Sequence, residues 1–318
     1  MVYAVLVPGA GAPAGINTIK SLRMANFRGQ LIATDSNALS AGFLMSDAYE
    51  IMPETKSPSF LENLFTILSK HKVEVLMPSS GFDIYPYSEN RKKLQEVGVT
   101  AVVSDRDSLE VCSDKMLTYQ SLVSKFELPF TTLDPDKIHS FPFIAKPRFG
   151  KGGRDFVTIH DDNDLNYVKS KFKNDTMIFQ EFLPGIEYTV DVLSDLNKIP
   201  IMAVPRIRLE TKAGISTKGK VVHDSELEET CMKIAKAAGI RGPCCIQMKQ
   251  SMHKDLKLVE INPRLGGGTI FATLAGANFP KMILDMVEGK QVNPQRFSEI
   301  TVVRYFEEAV FLIKSAVA

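Results

Sequence analysis

The 318-residue chain has little of what marks disulfide-rich, metal-chelating or membrane proteins. It has no tryptophan and only four cysteines; two are adjacent, at Cys244 and Cys245, and the set forms neither a disulfide framework nor a CxxC metal pair. The five histidines are scattered, without an HExxH motif. No apolar run approaches the roughly 20 residues that a membrane helix needs. These absences favour a reducing compartment, and we expect the cytoplasm.

Charge of either sign is not in excess, since 38 Lys plus Arg face 37 Asp plus Glu. Neither nucleic acid nor an anionic membrane surface is therefore expected as a partner. Hydrophobic residues make up 44% of the chain and charged residues 24%, as in ordinary globular proteins. The start, MVYAVLVPGAG, has no basic segment before its apolar residues, and we interpret it as a first strand rather than a signal peptide.

Strand and helix patterns alternate through the first third of the chain. An apolar run precedes the glycine loop GAGAPAG, a helical pattern and a second apolar run that ends at Asp35. This order predicts a Rossmann-like parallel α/β domain over residues 1–104. The later stretches mix short strands with helices, which predicts α+β subdomains over 105–185 and 186–318. The predicted fold class is thus α/β at the start and α+β overall.

The first glycine loop has more than one interpretation. Gly9-x-Gly11-x-x-Ala14 lies between a strand and a helix, and Asp35 ends the next strand, as in dinucleotide-binding sites. However, any tight strand-to-helix turn selects small residues, and Pro13 removes a backbone N–H that would face a pyrophosphate. A structural turn is favoured, while a dinucleotide site and another small-ligand site stay open.

A second glycine loop, in IAKPRFGKGGRDF, combines glycines with cations. Lys146 ends an apolar strand, and Gly150, Gly152 and Gly153 follow within eight residues. Glycines let backbone amides approach phosphate oxygens, and cations neutralise them. The pattern is not a Walker A loop, because the GK[ST]-then-helix sequence is missing. A phosphate-binding loop and a polar, solvated hairpin both fit the loop itself, whereas Lys146 on its strand favours a function.

Two acids flank a turn in QEFLPGIEYTVDV. Glu181 and Glu187 stand on either side of Pro184-Gly185. Main-chain groups at such a bend suit an adenine base, and an acid suits ribose hydroxyls. Taken alone, two solvated acids at a turn explain the pattern better.

Polar side chains interrupt an apolar strand in KLVEINPR. Glu260, Asn262 and Arg264 occupy every second position, while Val259 and Ile261 lie between them. Because side chains alternate along a strand, the polar residues should share one face and the apolar residues the buried one.

The preceding strand, CCIQMK, supplies a partner for that polar face. A hairpin folded between His253 and Lys254 would place Gln247 directly opposite Glu260, with their Cβ atoms about 5 Å apart. With Asn262 this makes an all-oxygen set of the kind that holds Mg²⁺ bridged to phosphates. A hydrogen-bonded polar face open to water is the alternative.

In this order and spacing, the lysine strand with its glycine loop, the acidic turn and the polar strand pair resemble the ATP-grasp superfamily. The likeness is greatest to carbamoyl-phosphate-synthase-like members and related stand-alone carboxylate–amine ligases, and it covers nearly the whole chain. It implies a leading α/β domain whose glycine loop borders a substrate site, followed by an ATP-grasp fold of two α+β subdomains. The chain has room for one such module, and PSSGFD, with Asp83, replaces the acidic pair of many relatives.

The resemblance also implies roles for individual residues. SDKMLTYQSL is similar to the first phosphate-binding lysine segment, which makes Lys115 the match. The implied nucleotide-binding residues are Lys115, Lys146, Gly150, Gly152, Gly153, Glu181, Phe182, Leu183 and Glu187. The implied metal ligands are Gln247, Glu260 and Asn262. The implied catalytic cations are Arg264, Arg208 and Lys146.

The implied activity is an ATP- and Mg²⁺-dependent ligation, with Mn²⁺ as an alternative metal. A small carboxylate becomes an acyl phosphate, an amino-acid-like amine attacks it, and ADP and phosphate leave. Residues Thr211 to Gly219 are expected to form a flap, Arg208 is equally well a solvated strand residue, and His223 is expected to be structural. A non-catalytic Mg-ATP-binding module, an NAD(P)-binding dehydrogenase and a homodimeric state are open alternatives.

Overall fold

The computed structural model describes residues 2–150, 155–172 and 176–311. The chain forms two compact units. One unit comprises Met1–Val103, Arg264–Asn293 and Val303–Ala318, and the other comprises Ser104–Pro263 and Pro294–Val302. Within the described ranges, each helix is too short or too polar to span a membrane.

The first unit is built on a five-stranded parallel sheet. Its strands are β1 (Ala4–Pro8), β2 (Gln30–Asp35), β3 (Ala48–Ile51), β4 (Val75–Leu76) and β5 (Thr100–Ala101), in the order β3-β2-β1-β4-β5. Its helices are α1 (Pro13–Met24), α2 (Phe60–Lys70), α3 (Ile84–Glu89), α4 (Arg91–Glu96) and, numbered by their place in the chain, α9 (Ile270–Ala275) and α10 (Phe279–Val287). Every residue of β1 is buried, as its central place requires. The predicted parallel sheet is confirmed.

Helices α9 and α10 join the first unit through contacts with α1. The hydroxyls of Ser21 and Thr273 lie 2.9 Å apart, and the Asn278 side-chain amide donates to the Ser21 carbonyl at 2.8 Å. The sequence prediction grouped all of 186–318 in one subdomain. The observed division differs because these polar contacts bring a late segment to the leading sheet.

The second unit contains two antiparallel sheets. The smaller has the strands β6 (Thr131–Thr132), β7 (Phe143–Pro147), β8 (Val157–Ile159) and β9 (Met177–Glu181), in the order β6-β9-β7-β8. Helices α5 (Arg106–Ser113), α6 (Lys115–Leu122) and α7 (Asp162–Lys171) also belong to this unit. Phe143, Ile159 and Phe179 form part of the small sheet's apolar core with Val168 of α7.

The larger sheet of the second unit has six strands. They are β10 (Glu187–Ser194), β11 (Pro200–Lys212), β12 (Ile215–Val221), β13 (Pro243–Gln250), β14 (Leu256–Asn262) and β15 (Ile300–Val303), in the order β14-β13-β10-β11-β12-β15. One face packs on helix α8 (Ser225–Ala237), whose Leu227, Cys231 and Ile234 meet Val190 and Ile246 in one core. Apolar residues at alternate strand positions therefore leave the other face for polar groups. The predicted combination of a parallel α/β domain with α+β elements is confirmed.

One predicted helix differs in the structure. The pattern from Asp107 to Leu128 predicts one continuous helix, but Asp114 has extended backbone angles and separates α5 from α6. Its carboxylate accepts the backbone N–H groups of Met116 and Leu117, which is an N-cap that starts a new helix. The strands on either side of the acidic turn, β9 and β10, belong to different sheets, so the turn joins the sheets.

Candidate functional site

Three oxygen-bearing side chains lie on one face of the six-stranded sheet. Gln247 of β13 pairs directly with Glu260 of β14. Two residues further along, Cys245 pairs with Asn262. Residues two apart share a face, so Gln247, Glu260 and Asn262 face the same side. The predicted pairing across the hairpin is confirmed, while the metal-ligand role stays a prediction.

A β-bulge next to this pair changes which residues of β14 are buried. The register shifts by one residue beside the Gln247–Glu260 pair and leaves Val259 as an extra residue. Leu258 and Ile261 belong to the hydrophobic core, whereas Val259 is half buried. The prediction that Val259 shares the buried face is wrong, because the bulge gives that place to Leu258.

Lys146 of β7 is a buried cation close to Glu260. Only 8% of the residue is exposed. Burial lowers the pKa of Lys146 from 10.5 to about 8, the Glu260 carboxylate opposes that shift, and Lys115 adds to it. Within residues 2–150, 155–172 and 176–311, Lys146 has no ion-pair partner. A buried ammonium of this kind is a strong candidate to receive an anion.

Lys115, the first residue of α6, lies in the same electrostatic neighbourhood. Its ammonium donates to the Gly150 carbonyl at 3.2 Å. Burial lowers its pKa, and the Glu260 and Asp114 carboxylates oppose the change. Lys115 and Lys146 thus both interact electrostatically with Glu260, while their predicted phosphate-binding roles stay predictions. Gly150 starts the second glycine loop, whereas Gly152 and Gly153 lie outside the described residues.

An ion pair that the sequence prediction missed anchors this loop. The Arg148 guanidinium donates to both carboxylate oxygens of Asp114, at 2.8 and 2.6 Å. Burial alone would raise the pKa of Asp114, but the Arg148 hydrogen bond and the capped backbone N–H groups hold it below its ordinary value. One carboxylate therefore caps the helix that begins with Lys115 and fixes the chain after Lys146. An acid directly before a helical lysine was the available signal.

Glu181, at the end of β9, holds a second charge pair. The Lys257 ammonium lies 2.8 Å from each of its carboxylate oxygens, and the Phe130 N–H donates to Oε2 at 3.1 Å. The following Leu183 is buried, and Lys249 lies 6.0 Å above the Phe182 ring. These contacts organise the chain between β9 and β10.

Glu187, at the start of β10, pairs with Arg208 of β11. Arg208 Nη1 donates to the Glu187 carboxylate at 2.6 Å, and Nη2 donates to the Gly214 carbonyl at 2.8 Å. The Arg208 side chain is only 8% exposed. The alternative that Arg208 is a solvated strand residue is therefore wrong. The predicted flap is an extension of the β11–β12 hairpin, and Arg208 fixes its tip to Glu187.

Comparison with known proteins bears on both halves of the chain. Residues 5–102 match a family model described as the PylC-like N-terminal domain, and residues 173–309 match one described as an ATP-grasp in the biosynthetic pathway with Ter operon. The two segments account for most of the 318 residues. Residues 173–309 belong to the ATP-grasp superfamily. The predicted ATP-grasp and carbamoyl-phosphate-synthase-like character is confirmed.

Curated relatives of this ATP-grasp chain include the carbamoyl phosphate synthase large chain of Clostridium botulinum (strain Kyoto / Type A2). The identity is 23% over 273 residues, covering 79% of this chain and 25% of the relative. The large chain from Clostridium beijerinckii is 24% identical over 272 residues, with the same coverage of both chains. The chain thus spans about a quarter of the length of these relatives.

Solved structures of biotin carboxylases share the ATP-grasp fold. The Campylobacter jejuni biotin carboxylase–β,γ-ATP complex gives a TM-score of 0.73 at 15% identity, covering 93% of this chain and 74% of that chain. The biotin carboxylase domain dimer of Hydrogenobacter thermophilus 2-oxoglutarate carboxylase, in complex with MgADP, ADP and bicarbonate, gives 0.72 at 15% identity, covering 93% and 73%. At this identity the likeness shows the fold.

The ATP-grasp site offers one carboxylate for a metal. Among the described residues, no group of three His, Cys, Asp or Glu side chains is placed to hold an ion. Glu260 would act with the amide oxygens of Gln247 and Asn262. Mg²⁺ in proteins is usually bound by one or two carboxylates together with substrate phosphates. The set therefore fits a metal that arrives with a nucleotide.

A second buried ion pair lies on the face of the six-stranded sheet that carries Gln247 and Glu260. The sequence prediction missed it. Arg206 Nη1 donates to Asp191 at 2.9 Å, with side-chain exposures of 5% and 1%. The Cys245 thiol donates to the other Asp191 oxygen at 3.0 Å. Removing one partner of such a pair leaves a buried charge, so we expect a structural role. Alternation in VDV and PRIR was the available signal.

Two further residues of the sequence prediction have the following contacts. Arg264 belongs to the first unit, where its Nη1 donates to the Leu265 carbonyl at 2.9 Å. Its catalytic role stays a prediction. His223 stacks on Phe297 with ring centroids 4.1 Å apart, and its Nε2 shares a hydrogen bond with the Phe297 carbonyl at 3.0 Å. These contacts support the expected structural role of His223.

Three backbone amides of the first glycine loop have acceptors within the chain. Ala10, Gly11 and Ala12 all donate N–H groups to the chain's own oxygens. The acceptor for Gly11 is the Asp35 carboxylate, at 2.8 Å, and its other oxygen accepts the Asn37 N–H at 2.9 Å. Asp35 thus closes the loop instead of facing a ribose. The geometry favours the structural turn and gives the dehydrogenase hypothesis no support.

Proposed function

We propose that the chain is an ATP- and Mg²⁺-dependent ligase that forms a C–N bond between a small carboxylate and an amine. One observation carries the proposal: Lys146 is a buried ammonium without an ion-pair partner among the described residues, and it lies beside Glu260 and Lys115. Two largely buried cations that share the Glu260 carboxylate suit a ligand with several negative charges, bound together with a divalent metal.

The phosphate end of the proposed nucleotide site would be formed by the two lysines. Lys146 would contact the α- and β-phosphates, and Lys115 would steady the start of the glycine loop through its hydrogen bond to Gly150. Bound Mg²⁺ would neutralise phosphate charge, held by Glu260 with amide oxygens from the neighbouring positions. Arg264 and Arg208 are the proposed cations for the transferring phosphoryl group.

The nucleoside end would be formed by the chain that joins the two sheets. Glu181 and the backbone of Leu183 would meet the adenine base, with Phe182 between them, and Glu187 would accept ribose hydroxyls. Glu181 and Glu187 are each held by a cation, Lys257 and Arg208 respectively. Held side chains bind with less loss of conformational entropy, which supports their assignment.

The proposed reaction has two steps. A substrate carboxylate oxygen attacks the γ-phosphorus of ATP, the bond from that phosphorus to the β,γ-bridging oxygen breaks, and ADP leaves. The amine then attacks the carbonyl carbon of the acyl phosphate, inorganic phosphate leaves, and the amine loses a proton to solvent. Phosphoryl transfer needs positioning and charge neutralisation more than acid–base chemistry, which suits a site rich in lysine and arginine.

The descriptions of the solved relatives support ATP as the nucleotide more directly than they support a particular carboxylate or amine as substrate. Solved relatives are described as complexes with a β,γ-ATP species and with MgADP, and one of them as a dimer. We extend ATP, Mg²⁺ and a homodimer to this chain as proposals. The carboxylate and the amine are assigned by class alone.

Nucleotide binding gives the first test. Mg-ATP should raise the Tm of the purified protein, because a ligand that binds only the native state stabilises it, and NADH should leave the Tm unchanged. A shift with NADH alone would contradict the proposal. An ADP-release screen of amino acids and small carboxylates, singly and in pairs, then identifies substrates. Mg-ATP binding with no ADP release from any mixture would favour a non-catalytic module.

Glu260→Gln tests the metal assignment. The amide keeps the shape of the side chain but removes the only carboxylate of the proposed set, so the variant should fold and lose Mg²⁺-dependent ADP release by about 100-fold or more. Circular dichroism and Tm check the fold, and steady-state ADP release measures the loss. Unchanged turnover would refute the assignment.

A further inference from the structure

Two lysines lie directly opposite each other in the β13–β14 hairpin. Lys249 pairs with Lys257 in the strand register. Like charges at directly paired positions destabilise a sheet, so this arrangement needs compensation from neighbouring groups. Because the bulge at Val259 restores the alternation, both lysines face the same side as Gln247.

Each lysine lies next to an acid of the segment that joins the two sheets. Lys249 is paired in register with Glu187 of β10, and its ammonium lies 6.0 Å from the centre of the Phe182 ring. Lys257 contacts both oxygens of Glu181 at 2.8 Å. Only 17% of the Lys257 side chain is exposed, which limits the competition from water for this pair.

The contacts of Glu181 leave part of its accepting capacity unused. A carboxylate has about four lone-pair positions. The two Lys257 contacts and the Phe130 N–H occupy three of them, and Oε1 carries only one of these three contacts. A further N–H donor can therefore be accepted at Oε1, in an orientation fixed by the other contacts.

We propose that Lys257 is a positioning residue that makes the nucleotide site selective for a purine bearing an exocyclic amino group. It acts through Glu181, whose carboxylate it holds in one orientation, so that Oε1 accepts the amine. In this proposal Lys257 acts on the carboxylate and not on the base, because two of its three N–H donors are directed at the Glu181 oxygens. The inference rests on the proposed nucleotide-binding function and extends it to the origin of base selectivity.

The test compares two probes that differ in one amino group. Isothermal titration calorimetry measures the Kd of Mg-ATP and of magnesium purine riboside triphosphate, which lacks the 6-amino group. Wild-type protein should prefer ATP by about tenfold or more, because Glu181 Oε1 would be covered by the bound base and would lack the amine donor with the analogue. Lys257→Met should reduce this preference to within about twofold, chiefly by weakening ATP.

Two further variants control the measurement. Lys257→Arg keeps a cation that can bridge both Glu181 oxygens and should retain most of the preference. Lys236→Met changes an exposed lysine of α8 and should leave both affinities as they are. Lys257→Gln gives the same readout in case the methionine variant folds poorly.

The outcomes separate the inference from the proposed function. Equal weakening of both triphosphates in Lys257→Met would show a merely structural lysine and overturn the inference, as would an unchanged preference. A wild-type protein that binds both probes equally would overturn it too, with nucleotide binding intact. A wild-type protein that binds neither probe would overturn the proposed function itself, and the inference with it.

Discussion

The two glycine loops of this chain have similar local surroundings but differ in how the polar and charged groups near them are paired. Both come directly after a buried strand, and each has a helix start close to it in space. In the first loop, Asp35 and two carbonyls accept the N–H groups of Ala10, Gly11 and Ala12. Beside the second, the Lys146 ammonium is buried without an ion-pair partner among the described residues.

This difference shows that glycine spacing alone says little about ligands. A Cβ on Gly15 would overlap the Gly9 carbonyl, so glycine there serves the packing of α1 on β1. The acceptors within the chain for the first loop's Ala10, Gly11 and Ala12 amides favour a structural turn there. The second loop lies beside a buried charge without an ion-pair partner among the described residues, and we propose it as the binding site because such a charge is costly until an anion pairs with it.

The largest effect should come from removing the charge beside the second loop. Lys146→Met should weaken Mg-ATP binding by about 100-fold, equivalent to about 2.7 kcal/mol. The Tm of the ligand-free variant should not fall, since methionine avoids the desolvation cost of a buried ammonium. Calorimetry and thermal melts measure both, with Lys236→Met as the matched surface control. Unaltered ATP affinity would remove the contrast between the loops.

A smaller effect should appear as pH dependence. Because burial lowers the pKa of Lys146 from 10.5 to about 8, the folded protein releases a proton that the unfolded chain still holds up to about pH 10.5. The Lys146 contribution to the free energy of unfolding therefore rises with pH across that window. Mg-ATP favours the charged lysine, so its affinity should fall about tenfold per pH unit above pH 8.

Proton uptake provides the direct measurement of this coupling. Titrations at pH 8.5 in buffers of different ionisation enthalpy should show that Mg-ATP binding takes up a proton, and Lys146→Met should abolish most of the uptake. Equal uptake in both proteins would assign the proton to another group.

The smallest effect concerns the first loop and tests whether that loop is structural. Asp35→Asn weakens the acceptor for Gly11 and Asn37, and should lower the free energy of unfolding by about 1–2 kcal/mol. The Kd of Mg-ATP should stay within about twofold of wild type, because Asp35 serves the turn. Chemical denaturation and calorimetry give the two values. A large loss of ATP affinity without loss of stability would show that this loop also binds the nucleotide.

Much of the fold could be predicted because its patterns are local. The apolar run of β1 and the helix α8, which ends before Gly239 with its positive φ, follow from residue order alone. The break between α5 and α6 could not be predicted from helical periodicity, because it depends on Asp114 serving both a helix start and Arg148. That arginine lies 34 residues away.

The candidate site was likewise only partly predictable from local sequence patterns. Gln247 and Glu260 were predicted to pair from a turn centred between His253 and Lys254. The pairing is right, but the Ser251 N–H donates to the Asp255 carbonyl, which centres the turn on His253. The extra residue of the bulge, Val259, offsets this one-residue difference, so Gln247 still pairs with Glu260. Lys257 was overlooked because its partner, Glu181, lies on a strand of the other sheet.

Val259 is the extra, unpaired residue of the bulge in the β13–β14 hairpin. If it were deleted, every pair from Lys249–Lys257 to Cys245–Asn262 would keep its partner in an unbroken ladder. The extra residue therefore adds curvature rather than pairing, since a bulge bends a strand and increases its twist. The angle between the lysine end and the carboxylate end of the hairpin is thus set by one backbone unit, independently of the side chains that each end presents.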